Sequence, residues 1–301
     1  MIIRILSNRR SLRRSFAKKK KLSTKIIIIT LLLAFLGSAG YGSYVLVSDF
    51  QAKQAEIARI EAEAAAAAAR EAKRKEPVYI NLPGAQPVRA LVEDYRLDGS
   101  IWALASKSHP LSLTYAPAAI TIPDVATKTD KSIEERSVRS DIAIPLKNMF
   151  DAAIAAGYAP MVGSGYRSAD LQAYYFNNLA SVVGDAAANQ SIAKPGQSEH
   201  QLGLAVDIST VSLDCYLDDC FADTGNGQWL ANNSYKFGFI VRYPKDKTLI
   251  TQYQYEPWHF RYVGVELATA LHDSGLTLDE AWTYIEAART TLIDNGAIIV
   301  Q

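Results

Sequence analysis

Residues 201–208 alternate between large apolar side chains and small or polar ones. The large residues are Leu202, Leu204, Val206 and Ile208. Successive side chains of a strand point to opposite faces, so this pattern predicts a β-strand with one apolar face and one face of small residues. The small face ends in the carboxylate of Asp207, and a ligand could approach it.

The same reasoning predicts the other elements of the domain. Strand-like runs cover residues 160–164, 238–243 and 255–262, and helical periodicity covers residues 145–156, 169–179, 263–274 and 279–294. Helices and strands do not alternate strictly, which favours an α+β fold. We therefore predict one α+β domain over residues 96–301, which is long enough to bury a single core.

Charge and hydropathy set the first 47 residues apart. Ten basic side chains and no acidic one precede Ile26, and the run 26–47 is uncharged. An uncharged run of this length can span a bilayer as a helix, and a basic flank favours the cytoplasmic side. We predict a cytoplasmic tail at residues 1–25, a transmembrane anchor at 26–47 and an extracellular remainder. A secretory signal cleaved near residues 37–40 is the alternative.

Residues 48–77 are dominated by Ala, Glu, Lys and Arg, with Ile57 and Ile60 as the large apolar side chains of 51–76. The composition favours a helix, but its apolar stripe is too thin for a core. We predict a solvated helical stalk, with a weak coiled coil or disorder as alternatives. Pro83 and Gly84 then indicate a linker at residues 78–95.

The net charge of +1 hides an uneven distribution. Subtracting the ten basic residues of the tail from the 32 Lys and Arg leaves 22, against 31 Asp and Glu, so the remainder carries −9. Such a domain does not bind polyanions through its overall charge. The basic residues lie next to an apolar run, so they indicate membrane topology, and no nucleic-acid partner is predicted.

The candidate chemistry lies in two segments about fifty residues apart. The first contains His200 and Asp207, and the second contains Glu256 and His259. Two imidazoles, one carboxylate and an open fourth position are typical of catalytic zinc, whereas structural zinc is usually closed by four ligands rich in Cys. In a regular strand the side chains of His200 and Asp207 would point to opposite faces. They can bind one ion only if the chain bends between them, and Gly203 is the residue best able to allow a bend.

Three sequence blocks resemble those of the VanY-type D-alanyl-D-alanine carboxypeptidases, zinc peptidases that trim peptidoglycan stem peptides. They are SGYRS at 164–168 with Gln172, PGQSEH at 195–200 and EPWHFRYVG at 256–264. The resemblance extends from about Trp102 to about Trp282, without a departure at the metal or base positions. It implies a small antiparallel sheet, flanked by helices, with zinc on its open face.

The resemblance also implies a role for each residue. Zinc would be held by His200, Asp207 and His259, with Glu256 as the general base. Arg167 would stabilise negative charge on the carbonyl oxygen or bind a substrate carboxylate. The candidates for further substrate contacts are Ser164, Tyr166, Gln172 and Ser198.

Cys215 and Cys220 are the two cysteines of the chain. Outside the cytosol such a close pair is most simply a local disulfide, and the absence of a second pair argues against a cysteine metal site. We therefore predict a disulfide in an acidic loop that follows the metal-binding strand.

Three functions remain open from the sequence. The first is a membrane-anchored zinc D,D-carboxypeptidase that hydrolyses the terminal D-Ala from peptidoglycan stem peptides. The second is an L,D-carboxypeptidase or endopeptidase that uses the same site. The third is a non-catalytic wall-binding module, which an intact ligand set and Glu256 argue against.

Overall fold

The computed structural model of the protein describes residues 42–298, which fall into two units. The first unit ends at Glu71, and its described residues, 42–71, all belong to one helix, α1 (Gly42–Arg74). Ile57 and Ile60 are 48% and 54% exposed. The side chains of this helix from Ser48 onward are almost all exposed, so it contributes no core.

Within residues 42–298, no helix combines the length and the apolar character needed to cross a membrane. The predicted basic tail, and the predicted anchor as far as residue 41, lie outside these residues.

The second unit contains a four-stranded antiparallel sheet and two small two-stranded ones. The small sheets pair β1 with β2 and β3 with β4, and the large sheet has the order β5-β6-β8-β7. The strands are β1 (Tyr79–Ile80), β2 (Val88–Arg89), β3 (Ile120–Thr121), β4 (Val138–Arg139), β5 (Pro160–Ser164), β6 (Ala205–Thr210), β7 (Phe239–Tyr243) and β8 (Glu256–Tyr262). The predicted α+β fold with a small antiparallel sheet is confirmed.

Helices of the second unit pack against these strands. They are α2 (Ile133–Arg136), α3 (Ala143–Ala155), α4 (Ala169–Val183), α5 (Asp185–Ser191), α6 (Gly225–Asn233), α7 (Thr248–Thr251), α8 (Val265–Ser274) and α9 (Leu278–Asp294). Ser132 and Thr277 begin α2 and α9 with capping boxes, which satisfy backbone N–H groups that a helix leaves free at its start.

One face of the large sheet is covered by apolar side chains and the other is open. Val206, Ile208 and Phe260 are fully buried in a cluster with Met149 and Phe150 of α3. Strand alternation places Asp207 and His259 on the opposite face. A second apolar cluster joins β1 and β2 to α8 and α9.

The chain enters β6 differently from the predicted strand over 201–208. Glu199–Leu202 form a turn of 3₁₀-helix that ends at Gly203, whose φ is +69°, and β6 begins only at Ala205. A Cβ atom at Gly203 would also lie 3.1 Å from the backbone nitrogen of Arg139. The turn therefore requires glycine, and it reorients His200 relative to Asp207.

Candidate active site

Strand register aligns three polar side chains across the open face of the sheet. Ser164 at the end of β5 is paired with Asp207 on β6, and Asp207 is paired with His259 on β8. Paired residues of neighbouring strands have side chains on the same face, so these groups lie side by side.

His200 reaches the same point from the 3₁₀ turn. Its Nδ1 lies 2.6 Å from the carbonyl oxygen of Gly165, and its Nε2 lies 3.3 Å from Oδ2 of Asp207. A hydrogen bond from Nδ1–H to Gly165 fixes the tautomer and leaves Nε2 with a lone pair directed at the site. Gly165 can approach so closely because it has no side chain, since a Cβ there would lie 2.2 Å from the carbonyl oxygen of Ser137.

His259 presents its other nitrogen to the site. Its Nδ1 lies 3.3 Å from Oδ1 of Asp207 and 3.4 Å from Oε2 of Glu256. Its Nε2 faces Oε2 of Glu199 at 3.8 Å, which is longer than a hydrogen bond. The two histidines therefore direct opposite ring nitrogens at the same carboxylate.

This geometry fits a metal ion. One ligand atom from each of His200, Asp207 and His259 lies within 4.8 Å of the other two, and all three residues are buried. Oδ1 of Asp207 is buried without a hydrogen-bond partner. A buried carboxylate oxygen is costly unless a cation or a donor satisfies it. Two nitrogens and one oxygen are also a donor set that zinc accepts.

The electrostatics of the cluster favour a cation at Nδ1 of His259. Burial lowers the pKa of this imidazole, but Asp207 and Glu199 outweigh burial and raise the pKa to about 9. Burial lowers the pKa of His200, which favours the neutral form that a metal ligand needs. Of the two carboxylates, Asp207 is the one that faces Nδ1 of His259, and its negative charge would also attract a metal ion there.

Glu256 stands beside the three candidate ligands at the start of β8. Burial raises the pKa of its carboxyl to about 7, although the neighbouring His259 acts to lower it. A pKa near neutrality suits a group that accepts a proton and later returns it.

Arg167 is held over the cluster by its neighbours. Its guanidinium donates to Oε1 of Gln172 at 2.9 Å and to Oγ of Ser164 at 3.3 Å, and it lies 5.4 Å from the centre of the Tyr175 ring. Nη2 of Arg167 is 3.8 Å from Oδ2 of Asp207. Gln172 also donates from Nε2 to the carbonyl of Ala193 at 2.6 Å, which fixes the amide whose oxygen accepts from Arg167.

These groups open into a cavity of about 350 Å³. Ser164, Gln172 and Ser198, all predicted substrate contacts, line it, whereas Tyr166 is buried and does not. The other lining residues are Lys131, Tyr175, Leu179, Ser191, Ile192, Ala193, Leu217, Tyr243, Tyr253 and Trp258. Cys215 and Cys220 form a disulfide in the loop that carries Leu217.

Sequence reasoning missed a buried charge cluster behind His259. Oε1 of Glu199 accepts hydrogen bonds from Arg242 at 2.8 Å and from Arg261 at 2.7 Å. Burial alone would raise the pKa of Glu199, but the two arginines hold it well below its usual range. The available signal was one arginine in each of two predicted strands, Arg242 in 238–243 and Arg261 in 255–262, because a cation that the fold buries needs a buried partner.

The sequence that forms this site matches a known protein family. The VanY family model, described as D-alanyl-D-alanine carboxypeptidase, matches residues 135–265. YodJ of Bacillus subtilis is 46% identical over 181 residues, which cover 60% of this chain and 66% of YodJ. A D-alanyl-D-alanine carboxypeptidase of Enterococcus faecalis is 44% identical over 171 residues, which cover 52% of this chain and 61% of the relative. The chain thus spans less than two thirds of the length of these curated relatives.

A solved structure shows the same fold. The LdcB LD-carboxypeptidase superposes on this protein with a TM-score of 0.60 at 45% identity, over 62% of this chain and 87% of that one. The segment matched by the family model contains all three candidate metal ligands and Glu256. The chain therefore belongs to the VanY family of D-alanyl-D-alanine carboxypeptidases.

Proposed function

We propose that this protein is a zinc-dependent D,D-carboxypeptidase that removes the terminal D-Ala from peptidoglycan stem peptides. The observation that carries the proposal is the convergence of His200, Asp207 and His259 beside Glu256 in one cavity. The similarity to the Enterococcus faecalis D-alanyl-D-alanine carboxypeptidase supports the substrate class.

The three ligands would be Nε2 of His200, a carboxylate oxygen of Asp207 and Nδ1 of His259. A zinc ion bound to them would supply the Lewis acidity that activates water and polarises the scissile carbonyl. Glu256 accepts a proton from the attacking water and returns it to the leaving amine. Because its side chain is half-buried beside the ligands, this proton transfer has limited contact with bulk solvent.

Arg167 supplies the positive charge on the substrate side of the cavity. Its Nε is buried without a partner in the protein, although both Nη atoms are engaged by Gln172 and Ser164. A guanidinium held in this way can stabilise the developing negative charge on the carbonyl oxygen or bind the terminal carboxylate of the substrate. Ser198, on the cavity wall, is the remaining candidate for a hydrogen bond to the peptide.

L,D-carboxypeptidase activity is the second candidate. The LdcB LD-carboxypeptidase is 45% identical in sequence to this chain and has the same fold. Both activities would release D-Ala with the same polar groups of this site. They differ in whether the cavity accepts a peptide that ends in D-Ala-D-Ala or one that ends in a single D-Ala.

Mass spectrometry of stem peptides incubated with the full chain distinguishes the two activities. Loss of one alanine from a pentapeptide ending in D-Ala-D-Ala, with a tetrapeptide left intact, is the expected result. Loss from a tetrapeptide ending in a single D-Ala would instead establish the L,D activity. Cleavage of neither peptide by the zinc-loaded protein would contradict both.

We also propose that residues 26–47 anchor the protein in the cell membrane, with residues 1–25 in the cytoplasm and the catalytic domain outside. The proposal rests on the uncharged run and its basic flank, and an exposed helix α1 is consistent with a stalk. Recovery of the full chain in the membrane fraction, with the catalytic domain digested by protease added to intact protoplasts, is expected. A protein fully released by a salt wash would contradict it.

A further inference from the structure

The loop after β6 returns over the open face of the sheet, where the candidate site lies. Thr210, at the end of β6, is paired with Pro160 at the start of β5, yet Tyr216 lies beside Gly163 near the other end of β5. The Tyr216 hydroxyl donates to the carbonyl of Gly163 at 3.3 Å. Its ring occupies the space beside Gly163, where an added Cβ would lie 3.0 Å from it. The next residue, Leu217, lines the cavity.

This loop has a backbone conformation that its sequence does not favour. Leu213, Cys215 and Leu217 have φ values of 62°, 54° and 50°, in the left-handed region that non-glycine residues rarely adopt. An unconstrained chain of these residues would relax to other conformations. The Cys215–Cys220 disulfide closes the loop and restricts those alternatives.

We propose that the disulfide-closed loop is a substrate-binding wall, in which Leu217 contacts an apolar part of the stem peptide and sets the affinity for it. This inference rests on the proposed function and adds a specificity residue to it. The occupant would be a methyl or aliphatic side chain next to the scissile bond. Leu217 is half-buried and shares the cavity with Trp258 and with the candidate metal ligands.

An apolar wall that contacts the peptide equally in the ground state and the transition state changes KM and leaves kcat nearly unaltered. Burial of a leucine side chain predicts that Leu217→Ala raises KM about five- to tenfold. Leu213→Ala is the matched control, because Leu213 has the same type of backbone conformation but does not line the cavity. It should keep the wild-type KM.

The role of the disulfide is tested with the double variant Cys215→Ser/Cys220→Ser. Chemical reduction of the wild type is unsuitable because thiol reductants would also bind zinc. Its KM should rise as in Leu217→Ala, with the zinc content unchanged. Adding Leu217→Ala to this variant should have little further effect, because both changes remove the same wall. All proteins are compared as full chains, with the melting temperature as the control for folding.

Wild-type KM in Leu217→Ala, or an equal rise in Leu213→Ala, would overturn the inference. Failure of the proposed function gives a different result, namely that the wild-type chain cleaves no peptide. Calorimetric affinity for the dipeptide D-Ala-D-Ala would then be compared among the same variants. An affinity for D-Ala-D-Ala that is equal in the wild type and in Leu217→Ala would again overturn the inference that Leu217 contacts the peptide.

Discussion

Glu256 is placed to accept a proton and not to bind the metal ion. It lies 3.4 Å from Nδ1 of His259, but it is not one of the three residues whose ligand atoms converge. Replacing it removes a proton acceptor and leaves the metal-binding groups in place.

We therefore expect Glu256→Gln to lower kcat by about 10²- to 10⁴-fold, the usual contribution of a positioned acid–base group. Zinc content, measured by atomic emission on the purified protein, should remain at the wild-type value. Glu266→Gln, an exposed substitution on α8, is the control. Near-normal turnover by Glu256→Gln would show that another group moves the proton.

Gly165 holds His200 through its backbone. Gly165→Ala would place a Cβ 2.2 Å from the carbonyl oxygen of Ser137, so the segment must move and the hydrogen bond to Nδ1 of His200 is weakened. Since partners of a ligand histidine typically contribute 10- to 100-fold to metal affinity, we expect a loss of about that size. Competition with a chromogenic chelator measures it.

Gly99→Ala provides the matched comparison, because a Cβ at Gly99 would meet nothing within 4 Å. It should bind zinc like the wild type. Equal zinc affinities in Gly165→Ala and Gly99→Ala would refute the positioning role of the Gly165 carbonyl.

At the scale of elements, the start of helix α9 is tied to the site through buried charges. Asp279 accepts a hydrogen bond from Arg242 at 2.5 Å, and Arg242 in turn donates to Glu199 behind His259. Arg242 is fully buried, so losing one of its two carboxylate partners leaves positive charge poorly compensated.

Asp279→Asn should therefore lower the free energy of unfolding by about 1–3 kcal/mol, less than for a fully buried pair because Asp279 is 15% exposed. Asp273→Asn, at an exposed position of α8, should change stability by less than about 0.5 kcal/mol. Urea titration followed by tryptophan fluorescence measures both. Equal midpoints for the two variants would contradict the structural role of Asp279.

Elements with a clear period were predictable from the sequence, and irregular ones were not. Strand β5 and helix α9 lie within a residue of their predicted bounds, because alternation and helical periodicity report directly on burial. Strands β1 to β4 have two residues each, which is too short for a period to be visible. The bend before β6 was located at Gly203, but its 3₁₀ turn was not foreseen.

The site was less predictable than the strands that carry it. The two metal-ligand segments could be found because histidine is rare in the chain and zinc requires particular donors. Glu199 was missed because a carboxylate adjacent to a histidine in sequence gives no indication of what it contacts in space. Leu217 was missed for a similar reason, since the conformation of its loop depends on a disulfide and on Tyr216 packing against Gly163.

At the scale of the whole molecule, acid stability depends on a buried carboxylate of α2. Burial raises the pKa of Glu135, but hydrogen bonds from Lys131, Tyr175 and Ser132 outweigh burial and lower the pKa from 4.5 to about 2. Between these two values the unfolded chain binds more protons than the folded one. Glu135 therefore stabilises the fold above about pH 4.5 and loses this contribution as the pH falls toward 2.

The variant Glu135→Gln should be less stable than the wild type at pH 7, by the order of 1 kcal/mol after allowing for solvent screening. The difference in stability between the two proteins should shrink as the pH falls from 4.5 to 2. Thermal unfolding across this range measures it. A difference that stays constant with pH would exclude Glu135 as a source of acid lability.

The most direct test of a zinc carboxypeptidase is metal reconstitution of peptide hydrolysis. The full chain is stripped with a chelator, dialysed and titrated with zinc, while release of D-Ala from stem peptide is followed. Activity should be lost on stripping and return in full at one zinc per chain, whereas His200→Ala and His259→Ala should not recover at that ratio. Undiminished release of D-Ala by the metal-free wild-type chain would contradict the zinc assignment.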